Sequence, residues 1–345
     1  MDNFDETKSD TSNNSFYIEN VPLNLRGRSE WWELKHNEIK ITKEIGKGTC
    51  GIVYKIKWRG LDCVSKCLIN KDNETDYNDL LNDVNVDAVY IPLPNHLHVE
   101  WTKRAILAGK HVLCEKPIAL NAKDIDELIK LRDQSGLLVA EAYMILHHPQ
   151  WSYAKKLLKS GAIGNLVQVD GVFSYNNAND SNNIRNHSIS GGGSLLDIGV
   201  YTFGSTRFMT DEDPEKITQT SINWENDVDV WSSVSAQFQT FKFLGVTSMR
   251  MYPRQEMNFH GSDGLIRLTS PFNPQVFGEA EVHIFSGEEI QSIKKFTTEN
   301  HYVKQLESFY STISTGSEYI CNLEFSKGTQ QMIDMVFEHE ASSKL

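Results

Sequence analysis

Short apolar runs separated by amphipathic stretches organise the middle of the chain. Asp87 to Leu93 is mostly apolar and is closed by Pro92 and Pro94, as expected for a strand buried on both faces. The next segment sets Val99, Thr102, Ala105 and Ile106 on one helical face and stops at Gly109. His111 to Cys114 is a second apolar run. Asn121 then caps a helix on which Ile125, Leu128, Ile129 and the stem of Arg132 share a face as far as Gly136. Leu137 to Ala142 reads as a third strand. Strands alternating with helices across short links predict a parallel, doubly wound sheet. Asn95, Lys116 and Glu141 should then share its carboxyl edge, where open α/β sheets bind ligands.

After residue 148 the period changes. Pro149 to Ser160 is amphipathic and ends at Gly161. Val167, Val169, Gly171, Phe173 and Tyr175 alternate with polar residues. So do Val228, Val230, Val234, Ala236 and Phe238, against Asp229, Trp231, Ser233 and Gln237. Lys242 to Met251 and Gly264 to Thr269 add strands, which predicts a large, mainly antiparallel sheet with helices on one face. Asn176 to Ser190 is rich in Asn and Ser and is expected to be a mobile rim.

Composition narrows the partners. A net charge of −12 over 345 residues argues against nucleic acid and anionic membranes. No apolar stretch is long enough to span a bilayer. Residues 1–29 are polar, lack the core of a signal peptide and are expected to form a disordered tail. Five cysteines without a C-x-x-C pair suit reduced thiols in the cytoplasm. His96 with His98, and His147 with His148, could suggest a metal. Without carboxylate or Cys ligands at suitable spacing, they read as ordinary residues at helix starts.

Several motifs carry a resemblance. Pro92-Leu-Pro-Asn95 with His98, Ala108-Gly-Lys-His-Val112, Glu115-Lys-Pro117, Glu141-Ala-Tyr-Met144 and His148-Pro149 come first. Gly191-Gly-Gly-Ser-Leu-Leu-Asp197-Ile-Gly-Val-Tyr201, Gly261-Ser-Asp-Gly264 and Asn300-His-Tyr302 with Gln305 follow. In these, residues 75–345 resemble the Gfo/Idh/MocA oxidoreductases, near their dihydrodiol and xylose dehydrogenase branch. The resemblance implies hydride transfer between NAD or NADP and a sugar or cyclic diol. Lys116 would hold the reacting oxygen, Tyr201 would donate or accept the proton, and Asp197 would stand beside them. Pro92, Asn95, His98, Glu115 and Lys116 would line the cofactor. It also implies a homo-oligomer formed on the open sheet face. Read from the residues alone, Asp197 and Tyr201 could equally be a cap or a buried hydrogen bond, and Gly191–Gly193 a linker or a close backbone approach. Close relatives carry an aromatic–Arg pair where this chain has Ile145-Leu146.

The first part of the chain differs. Gly46-Lys-Gly-Thr-Cys-Gly51 matches G-x-G-x-x-G, yet Ile52 to Trp58 alternates and continues as a strand. Residues 31–68 resemble the start of a tyrosine-kinase-like protein kinase. Gly46, Gly48, Gly51 and Val53 match its glycine loop, and Lys66 the lysine that contacts ATP. No H-R-D, D-F-G or A-P-E follows, so no kinase activity is expected. The expected fold is therefore α/β plus α+β: a β-hairpin segment (30–70), a truncated Rossmann-like part (71–148), and a substrate and dimerisation domain (149–345).

Overall fold

The computed structural model describes residues 39–48, 51–58, 61–68, 74–287 and 289–343. The expected tail, 1–29, lies outside them. Strands β1 (Ile39–Gly48), β2 (Gly51–Trp58) and β3 (Leu61–Leu68) form an antiparallel sheet in sequential order. Gly48 pairs with Gly51 between β1 and β2, and Val53 pairs with Lys66 between β2 and β3. No helix follows the glycine turn, in keeping with the alternation of Ile52 to Trp58.

Contacts divide the chain between residues 78 and 79, a few residues beyond the expected boundary at 70/71. Helix α1 (Glu74–Asn82) crosses that point. Strands β4 (Ala88–Ile91), β5 (His111–Cys114) and β6 (Val139–Glu141) then form a parallel sheet in that order. Ile91, Cys114 and Glu141 end level with one another. The crossovers are α2 (His98–Leu107) and α3 (Ala122–Ser135). Asn121 caps α3 by accepting the Asp124 N–H at 3.0 Å, and Gly136 ends it at φ 68°. The buried stripe of α2 is His98, Thr102, Ala105 and Ile106, so His98 takes the place expected for Val99, which is only half-buried.

The second sheet has eight strands. They are β7 (Leu166–Asn176), β8 (Pro214–Glu225), β9 (Val228–Phe238), β10 (Lys242–Ser248), β11 (Arg250–Gly261), β12 (Gly264–Leu268), β13 (Ala280–Ser286) and β14 (Glu289–Phe296). Their order is β14-β13-β12-β11-β7-β10-β9-β8, antiparallel except between β7 and β10. The run expected from Lys242 to Met251 is two strands, because Met249 turns into a small core with Val228 and Val230. Strand β14 was not legible as alternation: it is an edge strand with nearly every side chain exposed.

Helices α4 (Pro149–Lys159), α5 (Val200–Thr210), α6 (His301–Thr315) and α7 (Leu323–Ser343) complete this unit. Their apolar sides and one sheet face bury Trp151, Phe173, Phe203, Phe243, Phe259 and Phe272 in one core. Each such side chain contributes roughly 1.5–3 kcal/mol. The expected boundary at 148/149 runs through this single unit. Asp334 on α7 accepts the Ala122 N–H at 2.8 Å, Gln330 donates to the Leu120 carbonyl at 3.1 Å, and Ser326 donates to Glu141 at 2.9 Å. The last helix thus returns to the parallel sheet and ties both parts together.

Candidate active site

Three strand ends supply the floor of the site. Beyond β5 the chain turns through Glu115-Lys116-Pro117, with a cis bond before Pro117. His98 braces that turn: one ring nitrogen meets the Pro117 carbonyl at 2.7 Å and the other the Leu93 carbonyl at 2.6 Å. The ring is fully buried, and His98 joins the two strand-end turns. Glu141 is also buried; burial pushes its carboxyl up, while it accepts hydrogen bonds from Ile118 N–H and Ser326. Glu115 accepts from the Tyr90 hydroxyl. Pro92 is exposed, and Asn95 is half-buried with its amide donating to the Gly191 carbonyl at 2.8 Å.

That bond leads to the second wall. Gly191 has φ 72° and Gly193 φ 128°, conformations costly for other residues. A Cβ on Gly192 would lie 2.3 Å from the Arg185 carbonyl oxygen, and one on Gly193 2.0 Å from Asp229. The triple glycine is thus a close backbone approach. It opens a π-helical turn, Leu195–Gly199, that precedes α5 and contains Asp197.

Asp197 meets Lys116 here, 81 residues away in sequence. The ammonium donates to the Asp197 carboxylate at 2.8 Å and to its carbonyl at 2.6 Å, and both side chains are about nine-tenths buried. Arg185 Nε lies 2.9 Å from the same carboxylate oxygen, and the Tyr175 hydroxyl donates to the other at 2.6 Å. Burial pushes the Asp197 carboxyl up. Arg185, Lys116 and Tyr175 outweigh it and hold the group well below the usual carboxylate range.

Tyr201 joins the group with its ring, not its hydroxyl. The Lys116 ammonium stands 4.9 Å from the ring centroid, while the hydroxyl points to the Met144 sulfur at 3.5 Å. Because Asp197 sits in a π-helical turn, the four-residue spacing does not stack the two side chains as an α-helix would. Tyr143, Phe173 and Phe272 pack around the Tyr201 ring at 5.6 Å each. Burial pushes its phenol well above the ordinary tyrosine value.

Sequence reading missed Tyr175 and Arg185. Tyr175 passed as the last apolar position of an alternating strand. Arg185 is the sole cation among the Asn and Ser of 176–190, which was the available signal. The rim expected to be mobile is tied down: Arg250 donates to Asn177 at 2.7 Å and Asn186 at 3.2 Å, and Gly193 N–H donates to the Arg185 carbonyl at 3.1 Å.

A bound dinucleotide needs a surface beside the strand ends and a cradle for its pyrophosphate, usually a glycine turn leading into a helix. The ends of β4, β5 and β6 fit the first need. Gly46–Gly51 does not fit the second, since it joins two antiparallel strands; no such cradle is formed by the described residues.

Parallel strands with a cation at their carboxyl edge, followed by a large one-sided sheet, define a two-part oxidoreductase architecture. Residues 50–143 match the family model "Oxidoreductase family, NAD-binding Rossmann fold", and residues 151–267 match the "GFO/IDH/MocA C-terminal domain". The protein is 35% identical to uncharacterized oxidoreductase ORF334 of Rhizobium meliloti, over 75% of this chain and 79% of that one. It is 32% identical to the dTDP-3,4-didehydro-2,6-dideoxy-alpha-D-glucose 3-reductase of Actinomadura kijaniata, over 70% and 72%. The crystal structure of KijD10, a 3-ketoreductase from Actinomadura kijaniata in complex with NADP and TDP-benzene, superposes with a TM-score of 0.70 at 28% identity, over 76% and 81%. The chain belongs to the Gfo/Idh/MocA family of NAD(P)-dependent oxidoreductases.

Proposed function

We propose that residues 79–345 hold the reacting half of a site for hydride transfer on a sugar or cyclic alcohol, as in the dihydrodiol and xylose dehydrogenase branch. The buried Lys116–Asp197 pair at the end of β5 carries this reading. A carbonyl that gains hydride needs positive charge and a proton at its oxygen, and Lys116 offers both. Asp197 fixes the ammonium, Tyr175 and Arg185 hold Asp197 ionised, and the Tyr201 ring supports the cation from below. The role first expected of Tyr201, proton donation, would require its hydroxyl to leave Met144. Asn95 and Glu115 border the nicotinamide side. A nicotinamide ring, when bound, supplies or accepts the hydride. Kinship with a reductase named for a dTDP-sugar supports a sugar-like substrate.

Titration with NADPH and NADH, followed by energy transfer from tryptophan, tests the cofactor. No binding up to millimolar concentration would remove the reading. Where turnover of a sugar or diol is found, Lys116→Ala should lower it by ~100- to 10,000-fold and leave cofactor affinity nearly unchanged. Unchanged turnover would refute the role of Lys116.

The face of the eight-stranded sheet turned from the helices carries Leu244 with Asp170, Asn258 and His260. We assign it to a second copy of the chain, and a monomeric mass by light scattering at working concentration would exclude this. A second reading, ATP held by Gly46, Gly48, Gly51, Val53 and Lys66, rests on the pairing of Val53 with Lys66 across β2 and β3. The oxidoreductase match starts at residue 50 and so includes Gly51, Val53 and Lys66. ATP binding abolished by Lys66→Ala would favour the second reading; absence of ATP binding ends it.

A further inference from the structure

We infer that Arg185 forms an anion subsite beside Lys116, and that the substrate bears a carboxylate or phosphate close to its reacting carbon. The inference deepens the oxidoreductase reading and takes from it the role of Lys116.

Charge at the site is unbalanced. Asp197 carries one negative charge and faces two cations on the same oxygen, Lys116 at 2.8 Å and Arg185 at 2.9 Å, with the Tyr175 hydroxyl on the other. The other carboxylates at the strand ends are engaged elsewhere, Glu115 by Tyr90 and Glu141 by Ile118 N–H and Ser326. Asp197 is the one ion-pair partner of Arg185 among the described residues. At Asp197 two cations thus face a single carboxylate, one of them from the buried side and one from the exposed side.

Exposure distinguishes the two cations. The side chains of Lys116 and Asp197 are 10% and 8% exposed, whereas Arg185 is 43% exposed. Its Nε faces Asp197, and neither amino nitrogen hydrogen-bonds to another described residue. Those two nitrogens form the planar fork that matches a carboxylate or phosphate in bidentate fashion. A neutral polyol would leave the fork without a counter-charge.

The fork is also preorganised, which reduces the ordering cost of binding. Arg185 N–H donates to Asn183 at 3.1 Å, its carbonyl accepts from Gly193, and the next residue, Asn186, is held by Arg250. Gly192 admits this loop, since any side chain there would strike the Arg185 carbonyl. Because Lys116 and Arg185 share one carboxylate oxygen, their bonded nitrogens lie within about 6 Å of each other. With bonds of ~1.5 Å, an anionic group about two to four bonds from the reacting carbon would reach both.

The test compares D-glucose, D-glucuronate and D-glucose 1-phosphate by calorimetric titration of the full chain, its Arg185→Gln variant and its Arg185→Lys variant. The readout is the ratio of anionic to neutral affinity, which a merely structural arginine would not move. The wild-type protein should bind at least one anionic sugar about tenfold to a hundredfold more tightly than glucose. The ratio should fall to near one in Arg185→Gln and partway in Arg185→Lys. Preference for glucuronate identifies a carboxylate, and preference for the phosphate ester a phosphate. Should Arg185→Gln fail to fold, Arg185→Lys keeps a cation beside Asp197 and still removes the fork. Equal affinities in the wild type, a ratio that survives both substitutions, or binding of none of the three sugars overturns the inference. NADPH titration of the same samples separates the two claims: a lost cofactor with an intact ratio sinks the oxidoreductase reading alone.

Discussion

The Asp197 cluster and the histidines where α4 and α6 begin both hold polar groups away from water, by opposite means. At Asp197 every carboxylate oxygen has a matched donor, so the charges are retained under burial. At His147, His148 and His301 the rings pack against aromatic neighbours: His147 on Tyr319 at 5.4 Å, and His148 edge-on to His301 at 5.9 Å. One ring nitrogen on each has no partner among the described residues. Burial pushes His147 and His148 down to about 4 and His301 to about 3, so these groups stay neutral. Matched donors preserve charge in a low dielectric, and unmatched ones force neutrality.

The sharpest break is Asp197→Ala. It strands two cations and should cost about 3–5 kcal/mol in urea unfolding. A loss below about 1 kcal/mol would mean that the cluster is far better hydrated than its burial implies.

Acid should find the histidines next. Their folded values lie below the ordinary 6.5, so the unfolded chain binds more protons. Their contribution is intact above about pH 6.5 and is lost as pH falls toward 4. The fully buried His148 alone accounts for roughly 3 kcal/mol. Asp229 acts in the opposite sense: burial raises it to about 6, so its share of stability grows as pH drops below that value. Glu141, also pushed up by burial, acts in the same sense as Asp229, and the three histidines outweigh these two carboxyls. Urea midpoints should therefore fall steeply between pH 6.5 and 4.5; a flat profile would contradict the assignment of neutral rings.

Tyr175→Phe tests the matched cluster more gently. Losing one hydrogen bond to a charged group should cost about 1.5–3 kcal/mol. Smallest of all is His148→Phe at pH 7. The helix-capping contact to Gln150 N–H disappears, at about 1 kcal/mol, while the unpartnered nitrogen goes with it. The same variant should flatten the acid limb, whereas Tyr175→Phe should leave that limb unchanged.

Much of this could be read along the chain, because it is local and periodic. Apolar runs closed by proline or glycine marked β4, β5 and β6, and with them the level at which Asn95, Lys116 and Glu141 emerge. The motif ending in Asp197 and Tyr201 pointed to the pocket. Strand β14 escaped because an exposed edge strand has no inner face to impress a period of two on its residues. Residues 46–58 show the limit of motifs. The letters of G-x-G-x-x-G are shared by a hairpin turn and a phosphate cradle, and the strand or helix that follows decides between them.

Local pattern thus settled which segments are strands, where they stop, and which cation stands at an edge. Folding over long distances settled the partners: Tyr175 and Arg185 converge on Asp197, His98 becomes a brace, and the Tyr201 hydroxyl turns to sulfur. Periodicity reports which face of an element is buried. It carries no information about which residue of another element lies opposite, because that depends on how sheets and helices pack in three dimensions.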